Sequence, residues 1–286
     1  MSSESYEVDV EDVEYVRHAD GPMLARVFRP RGKGPFPAVV DAHGGAWIQG
    51  TRINNDSINQ RVAAGGVVVV SVDFRIPPQA TYPGSVADVN YAVRWLKANA
   101  ERYGTRPDLV GTMGTSAGGH LAVLAALKPF DPRYAVLPVA GEQFDARVPF
   151  VVTLWPVICP WGRMNDLKER AAKGEAHYAH RVGASQDQMK YWLTEEAMAD
   201  GSPTLALGRG DAVELPDILY LQALGDNLHP RANLDQFVAN YGRCGGKVDL
   251  HLFEGEPYDL VRTKPDSDSA RGAIARIIRF VRDHAG

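Results

Sequence analysis

The stretch Leu109-Val110-Gly111-Thr112-Met113-Gly114-Thr115-Ser116-Ala117-Gly118-Gly119-His120-Leu121-Ala122-Val123-Leu124-Ala125-Ala126-Leu127 decides the fold. Leu109 to Met113 is an apolar run that reads as a strand. His120 to Leu127 reads as a helix. Between them, Gly114 to Gly118 form a G-x-S-x-G box. A strand that stops at a glycine-flanked serine and restarts as a helix forces that serine into a strained, exposed turn. The glycines let the two backbones approach closely.

Further strands and helices alternate on both sides of this unit. Tyr6 to Arg17 alternates apolar and acidic residues, as an edge strand with one wet face does. Pro22 to Arg29 is a second strand after the turn Asp20-Gly21. Phe36 to Ala42 and Val67 to Phe74 are continuous apolar runs, expected where a strand is covered on both faces. A helix is predicted over Val86 to Arg102. Strands follow at Phe150 to Trp155, Asp217 to Leu224 and Val248 to Phe253, and helices at Arg231 to Tyr241 and Asp268 to His284. This alternation predicts an α/β fold with a mostly parallel central sheet flanked by helices. The sheet core spans residues 1–155 and 217–286. Residues 156–216 separate two strands by about sixty positions, too many for a plain loop. They hold a candidate helix, Asp187 to Asp200, and the aromatics Trp161, Tyr178, Tyr191 and Trp192. The expectation is a helical cap insertion over the mouth of the sheet.

The bulk numbers exclude several classes. The 286 residues are 45% hydrophobic and 23% charged, with a net charge of -4. That balance belongs to a soluble globule and gives no reason to expect nucleic acid or an anionic membrane as partner. No apolar run approaches the length of a membrane span. The acidic N-terminal stretch lacks the apolar segment of a secretory signal, which points to the cytoplasm. Cys159 and Cys244 are too few and too far apart for a disulfide framework or a metal cluster. No metal or organic cofactor is expected. The expected partner is a small molecule, with a homodimer left open.

Two further segments belong with Ser116. His43-Gly44-Gly45-Ala46-Trp47 follows the strand ending at Ala42. Two consecutive glycines there let backbone N–H groups point into a cleft, where acyl transfer needs donors for an oxyanion. The amides of Gly44, Gly45 and Ala117 are the expected donors. Gly225-Asp226-Asn227-Leu228-His229-Pro230 follows the strand ending at Leu224. An Asp just past a parallel strand points into the same carboxyl-end crevice as the serine; its plainer role is to cap the next helix.

These stretches resemble an α/β-hydrolase of the hormone-sensitive-lipase and acetyl-esterase type. Tyr82-Pro83 and the run from Asp88 through Trp95-Leu96 add to the likeness, which covers most of residues 20–285. The H-G-G-x-W opening is also similar to that of kynurenine formamidases. The resemblance implies a Ser116 nucleophile, an Asp226 orienter and a base His, in that chain order. It implies a carboxylic ester hydrolase, and the aromatic cap suggests small to medium hydrophobic or aryl acyl esters. His43, Trp47, Trp161 and His229 are the candidate substrate-binding residues.

The chain departs from the family at the base. The family's His slot, in the loop after the last strand, reads Tyr258, 32 residues past Asp226. A phenol titrates about three to four units above an imidazole, and one O–H does not bridge Asp and Ser as two ring nitrogens do. Tyr258 therefore predicts impaired turnover, restored by Tyr258→His. His229, at the cleft rim, is the substitute base to weigh, although a first-turn helix position explains it more simply. His251 reads as a residue lining a sheet face, His120 as helix packing, and His177 and His180 as cap residues. Tyr258 is either a substitution in a parent that carries His or the mark of a natural binder, as in plant gibberellin receptors. A non-catalytic small-molecule binder, and an amide, formamide or lactone hydrolase, remain alternatives.

Overall fold

Eight strands build one sheet in a computed structural model that describes residues 5–139, 144–174, 187–254 and 258–284. They are β1 (Val8–His18), β2 (Gly21–Pro30), β3 (Ala38–Ala42), β4 (Val68–Val72), β5 (Val110–Thr115), β6 (Phe150–Leu154), β7 (Asp217–Ala223) and β8 (Val248–Phe253). The spatial order is β1-β2-β4-β3-β5-β6-β7-β8. The β1/β2 and β2/β4 pairs are antiparallel. All pairs from β4/β3 to β7/β8 are parallel. This is the α/β-hydrolase arrangement. It sets the carboxyl ends of β3, β5 and β7 along one edge, where ligand crevices of open parallel sheets form.

The helices are α1 (Asp56–Ala64), α2 (Gly84–Ala98), α3 (Ala117–Leu127), α4 (Pro160–Ala172), α5 (Met189–Trp192), α6 (Glu195–Asp200), α7 (Pro203–Arg209), α8 (Arg231–Arg243), α9 (Leu260–Thr263) and α10 (Asp268–Asp283). The strands' alternation divides the core into two layers. Val39, Val69, Met113, Val152 and Leu219 face α1 and α10, meeting Ile58, Val62, Ile274 and Ile277. Val40, Val70, Val151 and Tyr220 face the other way, into a cluster with Val89, Leu121, Leu234 and Phe237 of α2, α3 and α8. Every residue of α3 is buried, because it lies between the sheet and its neighbouring helices. The amphipathic α10 buries Ala270, Ala273, Ile274, Ile277 and Val281 along one stripe. Its N-cap, Ser267, accepts the Ala270 N–H at 3.2 Å.

The segment between β6 and β7 differs from expectation in two respects. The single helix expected over Asp187 to Asp200 is two short helices, α5 and α6. Leu193 adopts φ 63°, and Thr194 starts a new helix by accepting the Ala197 N–H at 3.1 Å. Two of the insertion's aromatics also turn inward. Tyr191 and Trp192 are fully buried, packed on Trp47 and Tyr82. His177, Tyr178 and His180 lie outside the described residues. Among the described residues, no helix is long and apolar enough to cross a membrane.

Candidate active site

Ser116 sits between β5 and α3 with φ 52° and ψ -118°, the strained positive-φ turn of a nucleophile elbow. Its N–H donates to Leu154 O at 3.0 Å, and its carbonyl accepts from His120 and Val157. The glycine requirement is steric. A Cβ at Gly118 would lie 2.0 Å from Ala42 O, and one at Gly114 2.5 Å from Gly118 O. The turn is thus wedged against the end of β3, which brings the oxyanion-type loop next to Ser116.

The imidazole facing Ser116 is that of His229. Its Nε2 lies 3.5 Å from Ser116 Oγ. Its Nδ1 lies 2.7 Å from Asp226 Oδ2. The pairing with the carboxylate puts the proton on Nδ1 and leaves the Nε2 lone pair aimed at the serine. The local sequence explains this placement. Asp226 Oδ1 accepts the N–H groups of Leu228 at 2.8 Å and His229 at 3.1 Å, a side-chain turn that curls the chain back on itself. Gln222 of β7 donates to the His229 carbonyl at 3.0 Å. The imidazole is thereby swung over the carboxylate three residues before it. Both side chains are buried.

Tyr258 stands beside this pair. Its ring packs edge-on against His229 (5.5 Å between centroids) and Trp155 (6.3 Å). It lines, with Ser116, a recess of about 200 Å³. The expected geometry therefore differs at the base: the imidazole comes from the Asp226 turn, and the family's His slot supplies an aromatic wall. His229, expected among the substrate-binding residues, forms the middle of the Ser116–Asp226 line.

The oxyanion-type loop also differs in detail. The Gly44 N–H is taken by Thr115 Oγ1 at 3.1 Å. Gly45, at φ 132°, would bring a Cβ within 1.8 Å of Gln49 O, so only glycine fits this turn. Gly45 lines the recess. Ala117 is the first residue of α3, and its N–H has no acceptor within the helix. Gly45 lies in the recess wall with Ser116 and Ala117 follows Ser116 at the start of α3, whereas the Gly44 N–H is committed to Thr115.

His43, Trp47 and Trp161 are placed away from the recess. His43 is buried, stacked on Phe74 at 4.2 Å, with Nδ1 2.7 Å from Gly44 O. Burial holds its imidazole below the ordinary range, with the Gly44 bond opposing. Trp47 is buried and donates from Nε1 to His120 Nδ1 at 3.1 Å. His120 Nε2 in turn lies 2.7 Å from Gly201 O. Burial pushes His120 down to about 4, so it is a neutral relay from the loop to the insertion. Trp161 is 38% exposed on α4.

Three features escaped sequence reasoning. A buried polar network backs the loop. Asp41 accepts from Asn55 Nδ2 (3.1 and 3.2 Å), Asn59 Nδ2 (2.8 Å) and Ser71 Oγ (2.9 Å). Asn55 Oδ1 accepts from Thr115 Oγ1 at 3.2 Å, and Thr115 holds Gly44. Burial pushes Asp41 up to about 6 against these three donors. An acidic residue inside the continuous run of β3 was the available signal. Arg163 of α4 is the second feature. It is buried, bonded to Gln188 Oε1 and 5.7 Å above the Trp47 ring. Burial pushes its guanidinium down to about 10 while Asp226 and Tyr258 oppose this. Nothing in its local sequence distinguishes it from a surface Arg. The third is the polar wall of the recess, with Gln49, Asn54 and Arg262. Among the described residues no group of His, Cys, Asp and Glu is arranged to hold a metal ion.

Known proteins share this architecture. The esterase of Pyrobaculum calidifontis superimposes with TM-score 0.77 at 26% identity, covering 98% of this chain and 87% of its own. EstE1, a thermostable carboxylesterase from a metagenomic library, gives TM-score 0.77 at 24% identity, covering 98% and 90%, and supports the fold alone. Esterase LipC of Mycobacterium tuberculosis is 31% identical over 206 residues, which is 71% of this chain and 48% of LipC. The chain spans half or less of the length of the Mycobacterium tuberculosis esterases it matches. The BD-FAE family profile matches residues 27–173, from β2 through the elbow into α4. That match covers half of the sequence and includes the loop at 43–47 and the Ser116 turn, so the chain belongs to the BD-FAE family, on an α/β-hydrolase fold.

Proposed function

We propose that the protein hydrolyses carboxylic esters of small molecules, with Ser116 as nucleophile, His229 as base and Asp226 as the residue that orients it. The observation carrying this reading is the continuous hydrogen-bond line from Ser116 Oγ through the His229 ring to Asp226. The similarity to proteins named esterases and carboxylesterases supports it.

The chemistry follows from the geometry. His229 Nε2 takes the Ser116 proton as Oγ attacks the acyl carbon. At 3.5 Å the two atoms are within reach of proton transfer, and such bonds shorten in the substrate complex. The amides of Gly45 and Ala117 receive the oxyanion. Asp226 holds the imidazole in its tautomer and stabilises the imidazolium. His229 then gives its proton to the departing alkoxide, and a water activated by the same nitrogen frees the acyl group.

The test is reaction with a fluorophosphonate probe together with turnover of p-nitrophenyl acetate. Covalent labelling at Ser116 and loss of both signals in Ser116→Ala are expected. An unlabelled, inactive native protein overturns the reading and leaves a small-molecule binder in its place.

A further inference from the structure

We propose that the recess beside Ser116 selects short acyl groups carrying a second oxygen, a hydroxyl or carbonyl, over plain alkyl or aryl chains. This rests on the esterase reading and names the substrate class of that same site. Aromatic residues of the insertion suggested hydrophobic acyl groups, but Tyr191 and Trp192 are consumed in the core. What lines the recess instead is polar. Gln49, Asn54, Asp259 and Arg262 form its outer wall, and Trp155 and Tyr258 are the two rings. Among the described lining residues there is no Val, Leu, Ile, Met or Phe.

The recess is the acyl side of the site. The leaving oxygen must lie by His229 Nε2, which returns the proton to it. His229 does not line the recess, whereas Ser116, Gly44 and Gly45 do. With the oxyanion at the loop amides and the leaving group at the imidazole, the remaining substituent of the carbonyl carbon enters the recess. About 200 Å³ is below the range of drug-sized pockets, so the acyl group is short.

Two of these outer-wall side chains are amides, whose NH₂ groups can donate to it. Asn54 Oδ1 is already used by the Thr51 N–H at 3.1 Å, so its NH₂ is the end free to turn inward. Gln49 adds a second amide. Arg262 is ion-paired with Asp259, which neutralises its charge and favours an uncharged oxygen over a carboxylate. An alkyl chain would desolvate these amides without replacing their hydrogen bonds, whereas a hydroxyl or carbonyl oxygen accepts from them. Sites built around such bonds reject analogues that lack the oxygen.

The test compares p-nitrophenyl 3-hydroxybutyrate with p-nitrophenyl butyrate, using p-nitrophenyl acetate as reference. The ratio of the two kcat/KM values is measured within each protein, so it does not depend on the folded fraction. The native enzyme is expected to prefer the hydroxy ester by at least tenfold. Asn54→Leu and Gln49→Leu are each expected to cut that ratio severalfold, and together to bring it to one or below. A native ratio at or below one, or a ratio unmoved by the double substitution, overturns the proposal; acetate turnover would then leave the esterase reading standing. Failure to turn over all three esters overturns both.

Discussion

The proposed role of His229 as base is decided by replacing His229 and Tyr258 in parallel. In His229→Gln an amide N–H remains near the Asp226 carboxylate, which also keeps its bonds to the Leu228 and His229 backbones. The buried charge is therefore not abandoned, and the fold should survive. What is lost is the Nε2 lone pair 3.5 Å from Ser116 Oγ. Removing the triad His elsewhere costs about 10⁶ in kcat, with about 10³–10⁴ over water left by the remaining site. The loop amides and the Ser116 turn are untouched, so a fall of about 10⁴–10⁶ in kcat is expected here. That is about 5.5–8 kcal/mol of transition-state stabilisation. Tyr258→Phe keeps the ring that packs on His229 and Trp155 and removes only the hydroxyl. Its loss should be at least a thousandfold smaller. Steady-state kcat on p-nitrophenyl acetate reads both, with the thermal midpoint confirming that each variant is folded. If His229→Gln retains kcat within tenfold of the native enzyme, or if Tyr258→Phe is the more damaging change, the assignment of the base fails. Tyr258→His is the complementary case. A second imidazole at 258 should bring no gain of orders of magnitude, because the serine already has one.

Three other outcomes follow from the surrounding structure. Thr115→Val keeps the shape but removes both the acceptor for Gly44 N–H and the donor to Asn55; kcat should fall about 10–100-fold, from one to two buried hydrogen bonds at about 1–3 kcal/mol each, with KM little changed and Thr115→Ser recovering most of the loss. Gly118→Ala places a methyl 2.0 Å from Ala42 O, a backbone atom with no room to yield, so chemical denaturation should show a loss of about 3 kcal/mol or more, the upper end for overpacking. Asp41 is pushed up from 3.8 to about 6 in the folded protein, so between those values the folded state holds a proton that the unfolded chain has released. Stability should therefore fall by about 3 kcal/mol as pH rises from about 4 to above 6, and level off beyond; urea titrations across that range should show this component in the native protein and not in Asp41→Asn.

The parts of the molecule legible in the sequence are those where one local rule has no rival. All eight strands were readable because continuous or alternating apolar runs leave few other ways to bury them, and the Ser116 turn because only small neighbours admit it. The insertion was less legible because its helices are short and set by single residues, such as Leu193 at positive φ and the cap at Thr194. Cap aromatics do not say whether they face ligand or core, and Tyr191 and Trp192 face the core. The base is the most instructive case. The family order places a base 32 residues after Asp226, where the chain has Tyr258, and on that order alone turnover is impaired. Yet the spacing Asp226-x-x-His229 carries its own geometry. An Asp that accepts the N–H groups two and three residues ahead turns the chain so that the third side chain lies back over its carboxylate. A histidine at that third position is held in the right tautomer by its own turn. An imidazole so placed needs no distant loop to bring it to Ser116, and position 258 stands as a wall of the recess. The Asp and base of such a site then share one turn between β7 and α8, so the pair should hold its alignment while the loop after β8 varies.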